Sequence, residues 1–388
     1  MTMFSHNSST RRRQLIALGF LASTALLTGT LLVAYSLRLP SVKRTKNPRS
    51  IQALGAARSQ GKLRRVGSVA LPGRPTALAM LPDNRVVVGL TRDDGEAFLE
   101  IRDATAKAVE HRFSVKAPVY LLRVAPSGKE LVYATDLPEG KLYRLDLTQM
   151  QTSLLAVADH PSNPWCRAAY SPDSQLLAFV TGGRTATLID TKTGAQRAQI
   201  PLVGTGTYDD RIDSLSFSPQ GDQLALGGVV QHQSVLQLWD VNTQQPSVFW
   251  VPGTGSLTYS PDGQFVAGLD RDGRYYVRRV TDGRAVRQGG DLPAIFRDTP
   301  TSWGDEAIHY PGRGGTLRFL PGTNYLIFAG DTEAGVVDLT GQAQWLFLPV
   351  SFPSHLQRYY GDAHAACSED GKRLLLHDFH SVYFFERD

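Results

Sequence analysis

Seven times along the chain a four-residue turn of one kind separates two runs of β-forming residues. The clearest copy is Ser260-Pro261-Asp262-Gly263. Proline presets φ at the first central position of a turn and glycine accepts positive φ, so the quartet folds residues 256–259 back onto 264–269. A second turn cluster, Asp270-Arg271-Asp272-Gly273, leads into 275–280 and completes a three-stranded meander. The same grammar recurs at Leu81-Pro82-Asp83-Asn84, Ala125-Pro126-Ser127-Gly128, Ser171-Pro172-Asp173-Ser174, Ser218-Pro219-Gln220-Gly221, Leu320-Pro321-Gly322-Thr323 and Ser368-Glu369-Asp370-Gly371. Successive copies are 44, 46, 47, 42, 60 and 48 residues apart. Strands repeating at that period are the signature of propeller blades, and helical repeats are excluded.

Each copy continues with a second strand, such as 131–135 or 374–377, and a third, such as 141–145 or 235–239, often ending in an aspartate. Asp103, Asp146, Asp190, Asp240 and Asp338 occupy that place, just before turn signals such as Thr193-Gly194 and Thr340-Gly341. They read as ordinary turn aspartates that cap backbone amides on the way to a fourth strand. Seven copies give seven blades. The last copy runs out of chain after its third strand, and residues 65–71 precede the first complete blade, so this segment is expected to supply the missing outer strand and close the ring.

In the fourth copy the third strand ends in Leu238-Trp239-Asp240, and the stretch "RIDSLSFSPQGDQLALGGVVQHQSVLQLWDVNTQQ" resembles a WD40 repeat along its length. The resemblance extends over residues 75–388. It rests on one Trp-Asp dipeptide, and no copy carries the Gly-His that precedes the first strand of the family's repeats; Thr207-Tyr208 stands there in the fourth. It implies an all-β, WD40-like seven-bladed propeller.

Charge divides the chain. Residues 1–65 hold 12 of the 41 Lys and Arg and none of the 36 Asp and Glu, which leaves the remainder at a formal net charge of −7. An acidic platform gives no electrostatic reason to bind nucleic acid. Residues 14–37 contain no charged side chain and follow Arg11-Arg12-Arg13, which is long enough for a membrane span of about 20 residues. The sequence therefore divides into a basic tail (1–13), a transmembrane anchor or signal segment (14–37), a basic linker (38–62) and a propeller (63–388). An uncleaved anchor is favoured over a cleaved signal, whose apolar run is normally about 7 to 15 residues. Arg12-Arg13 resembles a twin-arginine export signal, whereas Arg38, Lys43, Arg44, Lys46 and Arg49 favour the opposite orientation by the positive-inside rule. A single-pass chain with an extracytoplasmic propeller is expected, and a cytoplasmic propeller is the alternative. Cys166 and Cys367, in the first strands of the third and seventh blades, read as free buried thiols.

Function is expected where the repeat is least regular. The short turns share one face of the ring; the longest inter-blade connections, 159–164, 204–211, 289–315 and 349–363, belong to the other. They carry His160, Tyr208, Asp209, Asp210, Arg211, Trp303, Asp305, Glu306, His309, Tyr310, His355, Arg358, Tyr359, Tyr360, Asp362 and His364 in or beside them, with Trp165 at a margin. Aromatic rings with arginine dominate binding hot spots, although such rings also pin down their own loops. The expected function is a non-catalytic scaffold for a protein or peptide partner, without cofactor or metal. The alternative is a propeller enzyme of lactonase or quinoprotein type with its site at the channel mouth, but no catalytic, metal or phosphate-loop spacing supports one. His377 and His380 read as a strand connection with one exposed histidine.

Overall fold

A computed structural model describes residues 63–387 apart from 137–138, 159–165, 204–209, 232, 251–256, 270–274, 290–314, 324, 331–333, 339–342, 348–364 and 379. The described residues form seven four-stranded antiparallel sheets, each a blade. Blade 1 consists of Arg74–Met80, Val86–Thr91, Ala97–Arg102 and Val109–Val115 in sequence order, and blades 2 to 6 repeat that order. First strands of neighbouring blades lie side by side, and Arg74–Met80 of blade 1 contacts both Val119–Val124 of blade 2 and Ala365–Cys367 of blade 7. The seven first strands therefore ring a central channel.

Blade 7 differs in connectivity. Its outer strand is Leu63–Ala70, paired antiparallel with Ser381–Arg387, the third strand of the same blade. The closing strand starts two residues earlier and ends one residue earlier than the sequence suggests. Leu63 precedes the segment 65–71 expected to close the ring, yet its side chain is buried beside Leu320, Ile327 and Leu374. A bulge between Arg65 and Gly67 turns Val66 outward, and Leu71 N–H still donates to the His380 carbonyl (2.8 Å).

The turns that announce the repeat form as their chemistry requires. In blade 5 the Ser260 hydroxyl donates to Asp262 Oδ1 (2.5 Å), and the Phe265 and Gln264 amides donate to Ser260 Oγ and Asp262 Oδ1 (2.9 and 3.0 Å). Ser171 with Asp173 and Ser368 with Asp370 repeat this arrangement in blades 3 and 7. Six copies place a left-handed residue fourth: Asn84, Gly128, Ser174, Gly221, Gly263 and Gly371 have φ between 61° and 75°. The sixth copy departs. Its fourth residue is the β-branched Thr323, and the left-handed position moves to Gly322 (φ 65°), with Thr323 N–H donating to the Leu320 carbonyl.

Third-strand aspartates close the other turns on the same face. Asp240 Oδ1 accepts the amides of Asn242 and Thr243 (2.9 and 2.7 Å), Asp146 and Asp190 likewise cap amides two or three residues on, and Asp103 caps those of Lys107 and Ala108. The Arg197 guanidinium, donating to Asp190 Oδ2 at 2.6 Å, holds that carboxyl below the ordinary aspartate value. For Asp240 the lowering comes first from the Thr243 amide.

The core lies between blades, because alternate residues of a strand face opposite neighbours. Val87 packs with Leu122 and Tyr133 of blade 2, whereas Val86 and Val88 pack with Leu375 and Phe384 of blade 7. Likewise Leu224 and Leu226 face blade 3, and Ala225 faces Leu257 and Tyr259 of blade 5. Such fully buried aliphatic side chains contribute about 1.5–3 kcal/mol each before entropy. Gly228 allows a very close approach: a Cβ there would sit 2.1 Å from the Arg211 carbonyl oxygen of the adjacent first strand.

Among the described residues no helix is long and apolar enough to cross a membrane. The basic tail, the apolar run 14–37 and the linker 38–62 lie outside the described residues.

Candidate functional site

Antiparallel pairing fixes which connections share a face. First-to-second and third-to-fourth turns lie at one end of each blade; second-to-third turns and inter-blade connections lie at the other. Blades 1 and 2 are joined by residues 116–118 alone, whereas 290–314 and 348–364 join blade 5 to 6 and blade 6 to 7. The face opposite the capped turns thus carries the long connections. It is the candidate partner surface.

Of the residues expected there, Asp210 and Arg211 are described. Asp210 is buried, and its Oδ1 accepts the Gln231 N–H (2.8 Å) at the tip of the blade 4 hairpin, with Arg184 of blade 3 at 4.0 Å from Oδ2. Arg211 donates Nε to Asp213 Oδ1 (3.0 Å). This pair braces the margin of the loop face at blades 3 and 4. His160, Trp165, Tyr208, Asp209, Trp303, His309, Tyr310, His355, Arg358, Tyr359, Tyr360, Asp362 and His364 lie outside the described residues.

Further links between blades make the platform stiff. The buried Tyr120 of blade 2 accepts the Cys166 N–H at the entry to blade 3 (2.6 Å), and burial pushes its phenol pKa well above the usual tyrosine value. Gln237 of blade 4 accepts the Val203 amide and donates to the Pro201 carbonyl. Cys166 and Cys367 are free thiols; the first precedes its strand by one residue and is buried, the second is half-buried. His377 ends a strand of blade 7 in the interior, and His380 is exposed in the turn that Asp378 caps. Among the described residues no three His, Cys, Asp or Glu side chains gather as a metal-ligand set.

The axis encloses a cavity of about 350 Å³ lined by residues from all seven first strands. Arg123, Arg167 and Arg318 line it from blades 2, 3 and 6. Arg167 bridges two blades, donating Nε to the Asp213 carbonyl (2.7 Å) and Nη1 to the Cys166 carbonyl (2.9 Å). These arginines lie on strands, outside the long loops in which function is expected. Arg123 and Arg318 each stand three residues before a turn proline, on the strand that lines the axis, and that position is the signal that identifies them.

No family profile matches the chain. It is similar to the WD repeat-containing protein SL1-17 of Schistosoma mansoni, 31% identical over 132 residues, which cover 32% of this chain and 40% of that protein. The chain thus matches less than half the length of this relative. This partial similarity agrees with the seven four-stranded blades and the strand that ends in Trp239-Asp240. The protein is a WD40-like propeller. In this WD40-like ring Trp239 packs between blades 3 and 4, and its indole N–H has no hydrogen-bond partner among the described residues. The dipeptide here works as a core ring followed by a turn cap.

Proposed function

We propose that the protein is a membrane-tethered, non-catalytic scaffold that binds a protein or peptide partner through the long inter-blade connections of its WD40-like propeller. One observation carries the reading: a ring stiffened by links between blades has short, internally capped turns on one face, and its longest connections start and end on the other. A rigid framework presenting variable loops is how binding residues are usually held. The name of the similar protein states WD repeats and supports the fold side of this reading. The apolar run 14–37 supplies the tether, and the propeller lies on the extracytoplasmic side.

Sidedness has a direct test. Protease added outside sealed right-side-out membranes should cleave the propeller; a propeller that stays intact until the vesicles are opened places it in the cytoplasm. Recovery of the chain in the soluble fraction with Met1 still attached would remove the anchor from the reading.

Partner binding is tested by crosslinked capture from a membrane extract, comparing the unaltered chain with Trp303→Ala/Tyr310→Ala and Arg358→Ala/Tyr359→Ala. Truncating central aromatic or arginine anchors costs about 2 kcal/mol or more, so capture should weaken about thirtyfold without loss of folding. Asp262→Ala, in a turn on the opposite face, should leave capture unchanged. Capture that survives both loop variants and fails with Asp262→Ala would place the partner on the face of the capped turns instead.

A further inference from the structure

We propose that the central channel binds a phosphate group carried on a small ligand, held by Arg123, Arg167, Arg318 and Ser214. The site goes beyond the partner surface and does not depend on it. Its first support is charge. Residues 66–387 are part of an acidic propeller, yet three of the side chains lining its axial cavity are guanidinium groups. Among the described lining residues the single carboxylate is Glu369, which is exposed in the first turn of blade 7. The nearby Asp213 carboxylate is engaged by Arg211. The positive lining is therefore set against the composition around it.

The second support is independent of charge. Ser214 lines the same cavity and is 4% exposed, and its Oγ has no hydrogen-bond partner among the described residues. A buried hydroxyl without a partner costs free energy, so an acceptor or donor arriving in the cavity is favoured there. Ser214 follows Asp213, whose carbonyl accepts from Arg167, so both residues line the cavity at the boundary of blades 3 and 4. Arg318, on the other side of the ring, reaches the Cys367 thiol and lowers its pKa against the larger upward push of burial.

Size and geometry select the ligand. A cavity of about 350 Å³ is at the small end of the usual range for ligand pockets. A carboxylate is satisfied by one arginine fork, whereas cations arriving from blades 2, 3 and 6 with a hydroxyl suit a tetrahedral, doubly charged group with oxygens in several directions.

The full-length chain is titrated with inorganic phosphate, following its melting temperature, against sodium chloride at matched ionic strength and against acetate. Phosphate should raise the melting temperature and the other two should not. Arg123→Gln and Arg318→Gln should each weaken phosphate binding about tenfold or more, the loss expected for one charge-assisted hydrogen bond. Ser214→Ala removes a hydroxyl that bonds to no described residue, so it preserves folding and should weaken binding in the same direction. Arg197→Gln, on an outer strand, should bind phosphate as the unaltered chain does. Equal shifts with phosphate and chloride, binding unaffected by the channel variants, or acetate binding as tightly as phosphate would each overturn the assignment.

Discussion

A chain that begins at Gly73 is expected to unfold at a markedly lower temperature than one that begins at Ser59, and to aggregate when concentrated. The shorter chain lacks Leu63–Ala70, the outer strand of blade 7. It loses the ladder to Ser381–Arg387, in which each net hydrogen bond contributes on the order of 1 kcal/mol. Burial of Leu63 against blade 6 is lost too, about 2 kcal/mol for one aliphatic side chain. The Arg65 guanidinium also leaves the Tyr383 ring, over which it lies 4.6 Å from the centroid. Most of the damage comes from what is uncovered: Ser381–Arg387 becomes an unpaired edge, the kind of template on which other chains add strands. Equal, cooperative melting of the two chains, followed by circular dichroism, would show that the ring closes without this strand.

How much of this could be read beforehand depended on whether the determining chemistry is local. Ser260-Pro261-Asp262-Gly263 and Asp240 act on amides within five residues, so their turns were legible and recur around the ring. The closing strand was legible as an unmatched segment, but Leu63 was not, because the cavity that receives it is made by residues more than 250 positions away. Thr323 shows the limit of reading by analogy, since one β-branched residue moved the left-handed position by one place. Asp210 looked like a loop residue available to a partner; its acceptor role toward Gln231 depends on a hairpin 21 residues further on. The channel arginines were visible as letters, and only the placement of every first strand at the axis brings them together.

Glu100 is such a nonlocal case, and replacing it is expected to be among the most destabilising single changes in the chain. Its side chain is fully buried on the third strand of blade 1. Glu100 pairs across the sheet with Val88, which faces blade 7, so the carboxylate lies at the joint between the first and last blades. Oε2 accepts Arg102 Nε and Nη2 (2.8 and 2.6 Å), and Oε1 accepts Arg112 Nε (2.7 Å). Arg102 is almost as deeply buried and also donates Nη1 to the Ala106 carbonyl (2.9 Å), whereas Arg112 is partly exposed. Glu100→Leu would leave Arg102 as a buried cation without its counter-ion, a change that costs about 3–5 kcal/mol. Arg112 can turn its guanidinium to water, so it adds little to that figure. The same reasoning gives the discriminating variant. Replacing both buried charges, Glu100→Leu with Arg102→Met, removes the desolvation penalty together with the attraction and should cost far less than the single change, in some proteins nothing. Urea unfolding of the single and double variants reads the difference directly. A single variant within about 1 kcal/mol of the unaltered chain, the upper limit usual for an exposed ion pair, would mean that water reaches Arg102 and that the joint between blades 1 and 7 is looser than its buried ion pair implies.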